Sequence, residues 1–567
     1  MPRIRTKAVF FSLVSIFCAL NILLSACGSG NGNGTNTTTV AAKQVLRLAS
    51  IGGFDTLDPA LTAGGLGDPF NLIFSNLVTA DDQGKIHDNM ASSHQVSADG
   101  LTYTFSLRPG LKFSNGQKLD ANDVAYSLNR TIDPATKSPV SSYLGLLKNY
   151  DALAGGKAKT LIGDSIIVKD PNTLVLVLSK PAAYFLASLN YATGDVVNKN
   201  LVTQYGTGWL NHLEEGGGSG PFKVKSYNPS KGLVLVPNPN YYGFKSKLQE
   251  IDYTITSDRN STFKSMKAGQ FDLAPVPPAD TNANKNLPGY QTTSALAMRF
   301  IGMNYLVKPL DNIKIRQGLE LALNKTLLVD SILGKGFVTP SYHIILDGIP
   351  GYNPNLQGPA GVNSLSGDQE KAKTLFQEGM KEEGYSSVSQ LPTITLAYDQ
   401  SYKAAGDTMN AVANEWKQVL GFTVKPFGLQ PTDLINQEFQ TNGKAGPMQM
   451  FYGNWGADYE DPQDFTTIFF GKGAQQNAFN YGQNKSANAA AQQAVQEELL
   501  KADTTQDPEA RLKLYQDAEQ KLVNDVPYIT TYQSSYSYLV NPKLHGWKIQ
   551  PTGSMAPGDW ADVYFTN

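Results

Sequence analysis

DGLTYTFSLRPGLKFSNGQKLDANDVAYSLNR, residues 99–130, switches its hydrophobic period once. Leu101, Tyr103, Phe105 and Leu107 alternate with Thr102, Thr104 and Ser106, the two-residue repeat of a half-buried strand. Arg108-Pro109-Gly110 then turns the chain. Asp120 stands where a helix is capped, with Asp123 three residues on as a variant of the capping box. Ala121, Val124, Ala125 and Leu128 recur on one helical face behind it. The stretch is scaffold and contains no group that performs chemistry.

The same alternation of strand and helix runs outward in both directions. Val45, Leu46 and Leu48 open a first strand, which Thr56-Leu57-Asp58-Pro59 ends, because a proline biases its predecessor away from helix. Ile166–Val168 and Leu174–Leu178 flank Asp170-Pro171-Asn172 as a hairpin. Ile394, Leu396 and Tyr398 alternate as a strand. Met409, Val412, Ala413, Trp416, Val419 and Leu420 then share one helical face. Asp507 caps a helix with Pro508 at its first position, and Leu514, Ala518 and Leu522 follow at helical spacing. Interleaved strands and helices without an internal repeat predict an α/β protein. At 567 residues it is too long for one core, so two to four domains are expected.

Composition excludes several functions. The formal net charge is −2, and the first 26 residues hold three cations (Arg3, Arg5, Lys7) and no acid, so the remainder is more acidic still. Nucleic-acid binding would want a basic face. Both cysteines, Cys18 and Cys27, lie near the N-terminus, so the body is predicted to have no disulfide and no thiolate metal site. His87, His94, His212, His343 and His545 are scattered without i, i+4 spacing, and no metal or other cofactor is expected. Ala63-Gly64-Gly65-Leu66-Gly67 lacks the GxGxxG order and the Lys-Ser/Thr of a nucleotide loop. GxSxG, HExxH and a body cysteine nucleophile are all missing, which argues against a surface hydrolase. Asp458 and Asp461 form an acid pair of the sort a glycosidase uses, but three residues apart in a turn they are expected to brace that turn.

The N-terminus reads as an address. Basic residues 3–7 precede the apolar stretch Ala8–Leu24, the layout of an export signal. Leu24-Ser25-Ala26-Cys27 ends it in the form of a lipobox, where cleavage precedes a cysteine that takes a lipid. Residues 28–39 (GSGNGNGTNTTT) cannot bury apolar surface, so the lipidated Cys27 and a flexible tether are expected over 27–44, with a reach of about 20–25 Å over roughly 16 residues.

Late in the chain, after Met448 and Met450, comes Tyr452-Gly453-Asn454-Trp455-Gly456-Ala457-Asp458-Tyr459-Glu460-Asp461-Pro462. Aromatics flank one acid, Asp458, and glycines leave backbone uncovered. A carboxylate among rings is costly unless a cation or donors meet it, and exposed backbone can pair with an extended ligand as an added strand. The stretch is read as a site for the cationic group of a small extended molecule, or else as a tight turn bearing a surface acid.

Residues 99–130 closely resemble the signature region of family 5 extracellular solute-binding proteins, the oligopeptide- and dipeptide-binding proteins of ABC importers. LDPA (57–60), GSGPFKVKSYNP (218–229), LVPNPNYYG (235–243), PLDNIKIRQGLELALNK (309–325) and WGADYEDP (455–462) resemble further family segments in the family's order. The resemblance implies a two-lobed periplasmic-binding-protein-like fold (type II, cluster C) with an extra domain, a hinge and an interlobe cleft. Lobe I would combine 45–74, 198–296 and 536–567, with 75–197 as its appended domain; lobe II would be 297–535. It also implies that Asp458 meets a peptide's α-ammonium, with Trp455 beside it. Asn454 and Gly456 would supply backbone pairing, as would Gly64 and Gly65 on the opposite lobe. An aromatic of the oligopeptide binders falls near Val140, with Tyr143 three residues on, and a pocket tryptophan falls near Pro431. No arginine is clearly placed to receive a peptide carboxylate; Arg299 and Arg316 are read as structural. The implied partners are a peptide or other small solute, an ABC permease, and the membrane through Cys27, on the cell surface or in the periplasm. The protein is expected to be a monomer. Family relatives also bind oligosaccharides, nickel chelates or haem. Sugar is the rival ligand, since Tyr and Trp faces stack on pyranose rings.

Overall fold

A computed structural model describes residues 40–62 and 69–567. The export signal, Cys27, the expected tether up to residue 39 and the loop glycines Gly64 and Gly65 lie outside the described residues, whereas Gln44 at the end of that tether is buried and donates to the Phe565 carbonyl at 3.0 Å.

The strand and helix of residues 99–130 form as their periods dictate. In the strand Thr102–Leu107 the apolar residues Tyr103, Phe105 and Leu107 point inward and are buried. The helix Ala121–Ile132 is closed by a complete capping box. The Asp120 side chain accepts from the helix backbone, and Asp123 accepts from the Asp120 N–H at 3.0 Å. Val124, Ala125 and Leu128 pack on the strand's inner face. The strand lies in an antiparallel four-stranded sheet ordered Ala91–Val96, Thr102–Leu107, Thr173–Val177, Ile166–Asp170.

A second four-stranded sheet is made from distant segments. Val45–Ile51 runs parallel to Glu250–Thr256, and Gly232–Pro237 and Phe222–Asn228 follow antiparallel. Asp58, seven residues past the first strand, is held by Arg130 at 2.5 and 2.8 Å and by the Trp209 indole N–H at 3.0 Å. This fixes the segment after the first strand against the helix Ala121–Ile132.

The third sheet has seven strands and carries the late motif. Its order is Leu273–Pro275, Tyr528–Val540, Tyr290–Met303, Met450–Gly456, Ile394–Asp399, Val424–Leu429, with Thr339–Pro340 also pairing Tyr528–Val540. Period-2 alternation divides its side chains between two cores. Ile301, Met450 and Tyr452 face the helices Ile313–Leu321, Gln369–Glu382 and Lys403–Leu420 through Ile315, Phe376, Met409 and Trp416. Phe300, Phe451 and Tyr528 face Phe469, Leu499 and Tyr515.

The fold is thus two-lobed α/β, with the two small sheets on one side and the seven-stranded sheet on the other. Two long strands, Tyr290–Met303 and Tyr528–Val540, run antiparallel from one side to the other, with a register shift between Ser294 and Met298. At one end Val540 joins the core of the second small sheet, and at the other Tyr528 joins the large-sheet core. The register is regular except at that shift and at a second between Arg299 and Phe300, and such irregularities are where a pair of strands bends most easily.

Candidate functional site

The glycine-rich run of the late motif is strand: Tyr452 to Gly456 all lie within Met450–Gly456. Its glycines have different reasons. A Cβ on Gly453 would stand 2.5 Å from the Phe300 ring, so only glycine fits there, whereas at Gly456 the nearest atom would be the Ala297 Cβ at 3.7 Å. On one edge the strand pairs with Tyr290–Met303 throughout, Ala297 opposite Gly456 and Met303 opposite Met450. On the other edge Ile394–Asp399 pairs only with Met450 and Phe451. From Tyr452 to Gly456 that second edge meets no strand among the described residues, and Asn454 and Gly456 are exposed.

Asp458 follows directly. It is half-buried, and its Oδ2 accepts a hydrogen bond from the Tyr143 phenol. Its own N–H donates to Asp464 Oδ2 at 2.8 Å. No lysine or arginine of the described residues forms an ion pair with it. Burial pushes the Asp458 carboxyl up to about 6, and the Tyr143 hydrogen bond offsets part of that. Asp464 is almost wholly buried, and burial first, then the neighbouring Asp458 charge, pushes its carboxyl well above the usual range. The Tyr143 phenol is driven upward by burial and by Asp458, so it remains a proton donor at any ordinary pH.

Of the two other acids of the motif, Glu460 is buried with its Oε2 unpartnered, and Asp461 is spoken for. Asp461 caps the short helix Pro462–Asp464 and forms a bidentate pair with Arg511 at 2.6 and 2.8 Å, both residues being buried. This is the bracing role expected of it. Tyr459 is buried in the core of the first small sheet, between Tyr143 and Tyr184. The motif is therefore seated against the opposite side of the molecule, and Tyr143 in turn stacks on Tyr191 at 4.3 Å.

A cavity of about 330 Å³ opens at this junction, lined among others by Asp458, Asp464, Asp503, Tyr143, Tyr184 and Trp455. The Trp455 ring packs edge-on against Phe469 at 4.9 Å, and its buried indole N–H has no hydrogen-bond partner in the structure. An aromatic wall with acids at its base and no cation bonded to Asp458 is suited to a positively charged group. Two lysines, Lys180 and Lys472, also line the cavity.

The structure thus brings Asp458, Trp455 and Tyr143 to one cavity and places Asn454 and Gly456 on the adjoining open strand. Val140 is buried in the core of the second small sheet, and Pro431 heads the exposed start of helix Pro431–Thr441. Arg316 is structural: it is fully buried against Asp525 at 2.7 Å and over the Tyr305 ring at 3.8 Å. Asp464, Tyr184 and Tyr459 were not legible as site residues, since each acquires its place through contacts across the junction. The scattered histidines also hide one group: His212, Glu214 and Glu215 bring possible ligand atoms within 4.8 Å of one another. Glu215 there already accepts from Tyr205 and bonds His212, each at 2.9 Å.

Comparison with known families gives a match to the model of bacterial extracellular solute-binding proteins, family 5, over residues 85–477. The chain belongs to that family. Its members are binding proteins rather than enzymes and act outside the cytoplasm. Among relatives of this family 5 protein is the oligopeptide-binding protein OppA of Bacillus subtilis, 26% identical over 573 residues, with 98% of each chain covered. Another is the probable deoxycholate-binding periplasmic protein YgiS of Escherichia coli, 26% identical over 520 residues, covering 90% of this chain and 92% of that one. Among solved structures, the murein tripeptide binding protein MppA of Escherichia coli superposes with a TM-score of 0.71 at 25% identity, covering 94% of this chain and 100% of that one. No helix of the described residues is long and apolar enough to cross a membrane.

Proposed function

We propose that this family 5 protein captures peptides by their α-ammonium and delivers them to an ABC importer. The observation that carries the reading is Asp458: a half-buried carboxylate in ion pair with no cation among the described residues, at the end of a strand whose outer edge is unpaired among them. The ammonium docks on Asp458, with Trp455 and Tyr143 enclosing it. The ligand main chain extends along Asn454 and Gly456 as an added strand, which secures backbone without reading side chains. Gly64 and Gly65 supply the facing backbone.

In this reading lobe I comprises 45–74, 198–296 and 536–567, with 75–197 appended, and lobe II comprises 297–535. The lobes close by bending at the Ser294–Met298 irregularity of the crossing strands. The protein works as a monomer outside the cytoplasmic membrane, held by lipid on Cys27. The relatives named for oligopeptides and murein tripeptide support a peptide ligand. Three acids around the cavity weigh against an anionic solute such as the bile acid for which YgiS is named.

An oligosaccharide is the second reading, favoured by the tyrosines and tryptophan that line the cavity. Native mass spectrometry of the purified protein separates the two. Retained masses that fit amino-acid compositions support the peptide, and increments of hexose overturn it.

A further inference from the structure

Glu460 is the acid of the late motif that the ligand site does not use. It is more than nine-tenths buried, and among the described residues its Oε2 meets no hydrogen-bond donor and no lysine or arginine bonds it. It comes just after the large-sheet strand Met450–Gly456, yet what covers it belongs to the opposite lobe. The turn from Asp81 to Gly84, which joins Val78–Ala80 to Ile86–Asp88, closes over it: a Cβ on Gly84 would stand 2.7 Å from the Glu460 Cβ.

A cavity of about 20 Å³ lies at this contact, lined among others by Glu460, Asp81, Asn71, Asn190, Gln550 and Thr552. That is room for one water-sized particle, and not for a peptide or a sugar. No histidine or cysteine lines it. Its walls are anchored on the small-sheet side, since Val78, before the Asp81 turn, and Met555, beside Thr552, are buried in the cores of the two small sheets.

The groups around the cavity are held in place. Asp81 Oδ1 accepts from the Gln83 and Lys85 N–H groups at 2.9 and 3.0 Å, and its Oδ2 bonds His87 at 2.7 Å. A carboxylate has about four acceptor sites, so Asp81 keeps capacity beyond these. The Gln550 amide is clamped from both ends, donating to Asp559 at 2.7 Å and accepting from the Ala556 N–H at 3.0 Å. Burial, and then the charge on Asp81, push the Glu460 carboxyl above its usual range. Two carboxylates facing one small cavity repel unless a proton or a cation stands between them. A proton needs one acceptor, whereas carboxylate, amide and hydroxyl oxygens converging from separate loops are what a hard cation needs.

We propose that Glu460 and Asp81, with the side-chain oxygens around them, bind a calcium ion that ties the late motif to the opposite lobe. Oxygen donors without nitrogen or sulfur select against transition metals. Donors drawn from several irregular segments suit calcium better than magnesium, which demands a near-ideal octahedron. With two carboxylates the site belongs among weak extracellular ones, half-saturated at about 0.1–1 mM calcium. The inference does not depend on which solute fills the cleft.

The test follows thermal unfolding of chelator-treated protein during titration with calcium chloride to about 10 mM, roughly ten times the weaker end of that range, with calorimetry counting the ions. Wild type should bind one ion in that range and melt at a temperature that rises and saturates with calcium. Glu460→Gln, which keeps the shape and removes the charge, should raise the half-saturating concentration at least tenfold. Glu460→Asp, which keeps the charge, should retain a calcium response. Glu215→Gln controls for the exposed group formed by His212, Glu214 and Glu215 and should respond as wild type does. No rise in wild type, an equal rise with magnesium chloride or with potassium chloride of the same ionic strength, or a shift below tenfold in Glu460→Gln overturns the site. A response lost in Glu215→Gln instead also overturns it, because the ion would then sit on the exposed group.

Discussion

The Tyr143 phenol donates its hydrogen bond to Asp458 across 315 residues of sequence. The acid is thereby satisfied but not neutralised: a phenol is a donor without a charge. Exchanging it for an ammonium sets a cation against the carboxylate, so that both partners of the hydrogen bond are charged. Both charges lose water in the process, so the gain is chiefly in orientation and selectivity.

Asp458→Asn keeps the shape of the site and removes its charge. Peptide affinity should fall roughly tenfold to a hundredfold by calorimetry, while Tyr143→Phe, which leaves the charge in place, should lose less. An unchanged affinity in Asp458→Asn would favour a neutral ligand such as a sugar.

Affinity should also depend on pH in one direction. The free Asp458 carboxyl is raised by burial to about 6, and a bound ammonium favours its ionised form. Binding below about pH 6 must therefore expel a proton. Affinity is full above that pH and falls on acidification by up to about tenfold per unit. A pH series of titrations that is flat or inverted between pH 5 and 7 would contradict this.

Two glycines three residues apart should separate fold from function. Gly453→Ala drives a Cβ to 2.5 Å from the Phe300 ring and should destabilise by about 1–3 kcal/mol in urea unfolding. Gly456→Val meets nothing closer than ordinary contact at its Cβ, so the melt should hold while the side chain crowds the open strand and weakens peptide binding.

Arg511→Met removes one half of a buried ion pair and strands Asp461 beneath the binding motif. The expected loss is about 3–5 kcal/mol, read from denaturant unfolding. A loss below about 1 kcal/mol would mean that Asp461 finds another partner.

Glu519 sets a second pH dependence, in stability. Its Oε1 accepts from the Ile344 and Ile345 N–H groups at 2.9 and 2.8 Å, Oε2 has no partner, and burial raises the carboxyl to about 8. The folded state then binds a proton that the unfolded chain releases near 4.5, so stability should fall as pH rises between those values, by at most roughly 1.4 kcal/mol per unit. Glu519→Gln should flatten that slope.

What the sequence made legible was local. The Asp120–Asp123 box, the alternation of Thr102–Leu107 and the apolar face of Lys403–Leu420 each depend on residues within a few positions, and all three form as read. The late motif was harder, because its glycines read equally as turn. Only the pairing with Tyr290–Met303 turns Tyr452–Gly456 into a strand, and only the early divergence of Ile394–Asp399 opens its other edge. The aromatic surroundings of Asp458 were legible from its neighbours in sequence. Burial shifts its protonation, offset in part by the Tyr143 hydrogen bond, and both come from packing that no short-range pattern encodes.

The most direct test of the Asp458 account is a pair of titrations with one peptide, its amino terminus free in one sample and acetylated in the other. The account predicts binding of the free amine and a loss of roughly tenfold to a hundredfold on acetylation. Equal affinity for the two would contradict it, because the acid would then not be reading an amine.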